Sequence, residues 1–355
     1  MILMNKRALL TLCAAASAVA LAACSGGTGT TAASGQSDSQ GLRVMASFYP
    51  LKYLTEQVGG AHVTVTSLTP DGAEPHDLDL SPAMVDSIGR ADAVVYLKGF
   101  QTAVDEAVEQ QSPKTAIDLA DTVTLVDAGE GSNHPADEDE EGQSGHEGQS
   151  GHEEGHSHEG HEEGHSHEGH EEGHEEGHEH HHDMAKDPHF WLDPQRMADA
   201  ASFIGEQLAA ADPANANDYR ANASTTADSM RQLSETLSNR TASCQSKTFV
   251  TAHTAFGYLA DRAGLTQVGI SGLDPDSSPS AARLQEIAEV VKSQGVTTIF
   301  TESLIDPKVA QTLADDLGIG TAVLDPIESQ VDASKDYAAV MNENIDALAK
   351  ALNCQ

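Results

Sequence analysis

The sequence predicts an α/β protein of two lobes, each a mostly parallel sheet flanked by helices. Three observations carry that expectation. Short β-branched runs alternate with helix-forming segments, the rhythm that builds parallel sheets. The rhythm breaks at a long polar insert and then resumes. The 355 residues also suffice for two ordinary domains and exceed one small core.

The chain opens with a targeting segment. Lys6 and Arg7 give a basic start, and Ala8–Ala23 is an apolar run of sixteen, short of the roughly 20 residues of a bilayer span. It ends Leu21-Ala22-Ala23-Cys24 and runs into Ser25-Gly26-Gly27. This resembles the lipobox of bacterial lipoproteins, in which cleavage precedes the cysteine and lipid is then attached to it. The expectation is a signal peptide over 1–23, lipidation at Cys24 and a tether over 24–41 without core-forming capacity. No later stretch is long and apolar enough to span a bilayer. The mature protein is therefore expected on the extracytoplasmic face of the cell membrane, held by its lipid.

The first lobe, 42–212, opens with a strand over 43–48, a helix from Pro50 to Val58 and a strand over 63–68. A loop covers Thr69–Asp79, then a short helix runs over 82–88 and a buried strand over 93–97. The segment Pro213–Ser243 is polar, rich in Ala, Ser and Asn, and free of internal Gly or Pro. With proline at its start it suits one long helix linking the lobes. In the second lobe, 244–355, a strand over 248–250 leads to a helix near Phe256–Ala263. In the helix Ala281–Gln294, the residues Leu284, Ile287, Ala288 and Val291 share one face. A strand over 297–300, a helix carrying Val309, Leu313 and Leu317, and a strand over 321–324 follow.

Charge excludes one class of partner. Against 19 Lys+Arg stand 56 Asp+Glu, a formal net charge of −37, which phosphate backbones would repel. A nucleic-acid role is not expected. Four cysteines are too few for a disulfide scaffold, and no C-x-x-C pair occurs. With Cys13 and Cys24 in the leader, Cys244 and Cys354 remain in an oxidising compartment. They are expected to pair, the alternative being two separate buried thiols.

Histidine is the outlying residue. Of 18, fourteen fall between His134 and Asp183, alongside 18 Asp+Glu and no Lys or Arg. This insert, 128–186, repeats Gly-His-Glu-Glu and Gly-His-Ser-His-Glu units and has too few apolar residues to fold alone. His-rich tracts bind metal by composition, and imidazole suits zinc, copper and nickel. Its candidate ligands are His152, His156, His158, His161, His165, His167, His170, His174, His178, His180, His181 and His182. Outside the insert stand His62, His76, His189 and His253. His62, in Gly59-Gly60-Ala61-His62, reads as a turn residue. The other three each sit at a strand exit or turn, which points to convergence on one metal.

Their contexts resemble a known family, the zinc- and manganese-specific solute-binding lipoproteins of bacterial ABC importers (cluster A-I). The motifs are Glu74-Pro75-His76-Asp77, the run Asp187–Pro194 (DPHFWLDP), the run Thr251–Leu259 (TAHTAFGYL) and Leu324-Asp325-Pro326. The likeness covers about residues 42–355, interrupted by the insert. A His- and acid-rich loop before the second motif is typical of the zinc branch. The resemblance implies ligands at His76 and His189 from the first lobe and at His253 and Asp325 from the second. It implies a metal site in the interlobe cleft and a rigid helix joining the lobes. It further implies a monomer that serves the permease and ATPase of an ABC importer. One departure is visible after Lys98-Gly99-Phe100, where the usual family tryptophan is missing and Val104 or a neighbour takes its region.

Chemistry points to Zn2+ as the transported ligand. Three imidazoles and a carboxylate form a four-coordinate N/O site that zinc accepts, whereas manganese prefers more oxygen and higher coordination. The family's manganese branch resembles this site with a carboxylate in place of His253. Asp325 has a second reading as a turn or helix start, with water completing the site. Glu74 is a supporting or substitute ligand. A zinc hydrolase would need three ligands, an open position and a general base. No H-E-x-x-H motif occurs, so the chain is read as a binding protein rather than an enzyme. A manganese-specific member and a metal-buffering or adhesive surface lipoprotein are the alternatives.

Overall fold

The computed structural model describes residues 41–128 and 185–355. Cys24, the leader, the tether and the insert histidines lie outside the described residues. In the first half, β1 (Leu42–Ala46), β2 (Val63–Ser67), β3 (Ala93–Tyr96) and β4 (Ala116–Asp118) form a parallel sheet in the order β2-β1-β3-β4. Val44 stands opposite Val65 on one side and Ala93 on the other. The crossovers are α1 (Tyr49–Gly59), α2 (Pro82–Arg90) and α3 (Thr102–Gln111). Pro at the first turn and the Ser81 hydroxyl, which accepts from Met84 N, start α2.

The second half repeats the plan. Strands β5 (Thr248–Thr251), β6 (Thr266–Gly269), β7 (Thr298–Thr301) and β8 (Gly320–Val323) pair in parallel in the order β6-β5-β7-β8. Their helices are α6 (Gly257–Ala263), α7 (Ala281–Gln294) and α8 (Lys308–Leu317). In both sheets the order reverses beside the first strand. The crevice at the carboxyl ends of the strands is where such sheets take ligands.

Three helices join the halves: α4 (Pro194–Ala211), α5 (Ala216–Thr241) and α9 (Tyr337–Ala351). The long helix is present, with a 3-10 turn over Pro213–Asn215 ahead of it. At 26 residues it reaches about 39 Å. It packs on α1 and α4 at one end and on α6 and α9 at the other. A single apolar cluster runs through both halves, including Phe48, Trp191, Tyr219, Met230, Leu237, Tyr258 and Tyr337. The far face of each sheet has its own smaller cluster, around Ile88 and Val94 in one and Ile287 and Ile299 in the other.

Several elements differ from the sequence expectation. Helix α4 was hidden by the motif that precedes it, yet its start is local chemistry: Asp193 Oδ1 accepts from Gln195 N and Pro194 fills the first turn. The buried side of α8 is Ala310, Leu313 and Ala314, so Val309 faces outward at 44% exposure. The structure also contains α3, β4, β6 and α9, which the sequence expectation does not include. Val104 is buried behind the first sheet, while Phe100 packs on Phe48 and Trp191. Cys244 and Cys354 form the expected disulfide across a separation of 110 residues. In the chain-entropy account such a loop contributes about 5 kcal/mol.

Gly205 marks a close approach of α4 to α5. A Cβ there would lie 2.5 Å from the Ala223 Cβ on α5. Gly205→Val is therefore expected to lose about 1–3 kcal/mol through overpacking, measured as a lowered urea midpoint with unchanged slope.

Candidate metal centre

Each of the three motif histidines is delivered by a different element. His76 follows β2 in a tight turn whose Glu74 carboxylate accepts from His76 N at 2.9 Å and Asp77 N at 3.3 Å. The buried Gln101 amide holds that turn from below, donating to Thr69 Oγ1 and to the Pro75 carbonyl. His189 lies just beyond the insert, ahead of a 3-10 turn over Phe190–Leu192. His253 follows β5, and its carbonyl accepts from Thr251 Oγ1 and Gln267 Nε2.

The structure brings these three imidazoles together with Glu328. One donor atom from each lies within 4.8 Å of the others. Glu328 Oε1 is 3.6 Å from His76 Nε2, 3.3 Å from His189 Nε2 and 3.5 Å from His253 Nε2. All four atoms are buried and none has a hydrogen-bond partner among the described residues, which is rare for buried polar groups. An ion with four bonds of 2.0–2.1 Å in a tetrahedron keeps its donors about 3.3–3.4 Å apart. The spacing of Glu328 Oε1 from the three nitrogens is close to that of such an ion.

Carboxylates behind the rings set their orientation. Asp187 Oδ1 lies 2.8 Å from His189 Nδ1 and also accepts from the His189 N–H. Glu302, at the end of β7, has Oε2 2.7 Å from His253 Nδ1 and Oε1 accepting from His253 N. A proton kept on each Nδ1 leaves Nε2 free toward the centre. His76 is held by ring contacts instead, edge-on to Phe100 at 4.8 Å.

The charges are mutually stabilised. Burial alone would push the Glu328 carboxyl up, but His189, His253 and His76 hold it well below its ordinary value. Burial would depress His253, yet Glu302 and then Glu328 raise it to about 10. His189 is likewise raised, by Asp187 and Glu328 against its burial.

Asp325 does not join the cluster, which corrects the expectation that it is the fourth ligand. Its Oδ1 accepts from Ile327 N at 2.7 Å and its Oδ2 from the Ser303 hydroxyl at 3.0 Å. It shapes the turn that presents Glu328, three residues on. Burial raises its pKa, against the lowering pull of those two hydrogen bonds. Glu74 stands at the edge, Oε1 3.9 Å from His76 Nε2, its oxygens occupied by the turn. His62 is remote, paired on the surface with Asp218. Glu328 and Glu302 went unnoticed in the sequence. The acidic residue at the β7 exit was the one available signal for Glu302.

The chain enters and leaves 129–184 side by side, through an antiparallel bridge between Asp127 and Lys186. Tyr258 Oη accepts from Val126 N and donates to the Asp187 carbonyl, tying this neck to α6.

Two like parallel sheets, braced by one long helix and contributing donors from both halves to one centre, define the architecture of a two-lobed solute-binding protein. The chain belongs to the family described as zinc-uptake complex component A, periplasmic, which matches residues 44–351. It is 33% identical over 313 residues to the zinc-binding protein AdcA of Streptococcus pyogenes serotype M3, covering 86% of this chain and 55% of that one. The chain thus spans little more than half the length of the AdcA relatives it matches. It is 32% identical over 331 residues to the high-affinity zinc uptake system protein ZnuA of Bacillus subtilis, covering 91% and 92%. Among solved structures it is similar to the Zn(II)-bound ZnuA-like domain of Streptococcus pneumoniae AdcA. The TM-score is 0.65 at 28% identity, over 88% of this chain and 99% of that one.

Glu328→Ala is expected to weaken zinc binding at least about tenfold by removing a donor. Asp325→Asn keeps the acceptor for Ile327 N and should change affinity less than about threefold. Competition against a chromophoric chelator measures both. The reverse order would return Asp325 to the donor set.

Proposed function

We propose that this chain is an extracytoplasmic zinc-binding protein that captures Zn2+ and delivers it to the permease of an ABC importer. The observation that carries this reading is the four-donor set, three nitrogens and one oxygen, buried and otherwise unpartnered. Zinc accepts that set in four-coordination. Manganese favours more oxygen, so His253 weighs against the manganese alternative. The zinc-binding and zinc-uptake names of the relatives support the same ion.

Capture is a displacement of protons. Each imidazole must present a bare Nε2 to the ion. Asp187 and Glu302 keep the other nitrogen of His189 and His253 protonated, so these two rings bind as neutral, oriented donors. Glu328 supplies the one negative charge of the donor set. Apart from these proton transfers no covalent bond changes, and the ion is cargo to be handed on.

The lobes are 42–212 and 244–355, joined by 213–243, with the long helix as the brace. The partners are a membrane permease and its ATPase, served by a monomer whose Cys24 carries lipid. The family's description as a periplasmic uptake component and the leader's lipobox support that placement. The insert holds further zinc ions weakly through histidines between His152 and His182.

Two measurements test this reading. Because Glu302 and Glu328 raise His253 above the ordinary imidazole range, a proton must leave it when zinc binds. Affinity should therefore rise with pH, by about tenfold per unit for each proton displaced, in titrations at pH 6, 7 and 8. A flat profile would remove His253 from the site. Deleting 134–183 should leave one tight zinc equivalent and abolish the weaker ones, as read by calorimetry. Loss of the tight equivalent would mean that the insert supplies the primary ligands.

A further inference from the structure

Helix α9 gives no donor to the metal centre, yet Asn344 on it is 3% exposed and turns its amide toward the Glu328 loop. Its Oδ1 accepts from Asp325 N at 2.9 Å, and its Nδ2 donates to the Asp325 carbonyl at 2.6 Å. A primary amide offers an acceptor and a donor side by side. Here both engage the backbone of one residue, as a neighbouring strand would.

The residues after that anchor are held one by one. Asp325 Oδ1 caps Ile327 N, Ser303 holds Asp325 Oδ2, and Trp191 Nε1 donates to the Pro326 carbonyl at 2.8 Å. Ile327 stands at φ 56°, a left-handed conformation that is an outlier for a β-branched residue. Such a conformation persists only where its surroundings over-determine it. Glu328 comes next, and then Ser329, whose hydroxyl accepts from Gly72 N at 2.7 Å. A cavity of about 290 Å³, lined in part by Tyr49, Asp325, Ser329 and Asn344, opens beside the loop. The loop therefore has room to relax if an anchor is lost.

We propose that Asn344 is a positioning residue for the metal: through Asp325 it fixes where the Glu328 carboxylate stands, without touching the ion. The inference rests on the four-donor set being the zinc site. Without the amide, Asp325 is released from α9 and Ile327 can return to negative φ, carrying Glu328 out of register with the three imidazoles. A Gln at 344 would place the same amide one methylene too far. An Asp would keep the acceptor and lose the donor.

The test uses the full chain, zinc and a competing chelator strong enough to report only the tightest equivalent. Asn344→Ala is expected to weaken zinc roughly 10- to 100-fold, the range typical of losing a partner that orients a ligand. The isosteric Asn344→Asp should lose at least several-fold, and it carries the comparison if the alanine protein fails to fold in thermal unfolding without metal. In a Glu328→Ala background either change should add less than about twofold. Co2+ bound to Asn344→Ala should show the visible spectrum of the Glu328→Ala protein.

His189→Ala separates the two levels of the argument. If His189→Ala weakens zinc and neither Asn344 variant does, the positioning role is overturned and the site stands. If His189→Ala also leaves affinity intact, the site itself is wrong. An Asn344 effect that is undiminished in the Glu328→Ala background would be general packing, which also overturns the proposal.

Discussion

Glu328 places its Oε1 where three imidazole nitrogens face it and no backbone donor among the described residues does so. An isolated buried carboxylate is strongly disfavoured, so its charge must be met by another. In the free protein that counter-charge is met by protonated imidazole, which is why His189 and His253 are raised while the Glu328 carboxyl is lowered. A divalent cation meets the same need with one particle and releases the protons. The exchange between the two states is thus governed by pH and metal concentration together.

Everything around the centre serves to keep four short-range donors in place. The carboxyl ends of β5 and β7 put His253 and Glu302 side by side, because the two strands are neighbours in the sheet. Asp187 precedes His189 by two residues and clamps both its backbone and its ring. The two halves meet through apolar and polar ties. Trp191 and Tyr337 lie in one cluster, Trp191 donates to Pro326, and Arg262 on α6 makes a bidentate pair with the buried Asp193 that starts α4. A half-buried, geometrically matched pair of this kind orients elements as well as holding them. The helix α5, packed against elements of both halves, supplies the rigid brace.

How much of this the sequence disclosed follows from the range of each signal. Strands and helices with their own period, such as β3 and α7, were legible because adjacent residues determine them. The three histidines were legible because their motifs are short and contiguous. Glu328 was not, because the property that selects it over Asp325 is a turn geometry. Asp325 spends its carboxylate on Ile327 N and Ser303, and the acid three residues later inherits the open position. Val309 shows the same limit in a helix. Four-residue spacing places it with Leu313 and Leu317, yet the packed face runs through Ala310, Leu313 and Ala314, set by the sheet beneath α8. Periodicity finds a face, and only the neighbour decides which of two adjacent faces is buried.

The neck of the insert bears on why so long an acidic and His-rich segment is tolerated there. Its ends are bridged at Asp127 and Lys186, so the fold supplies the loop closure that a free chain would have to provide. Tyr258 then locks the bridge to α6, with Val126 donating to its hydroxyl and the hydroxyl donating to Asp187. Asp187 is also the residue that orients His189. The same two-residue stretch therefore closes the insert and aims a ligand. The insertion point thus lies directly beside the element that carries His189, with Tyr258 tying both sides of the neck to α6.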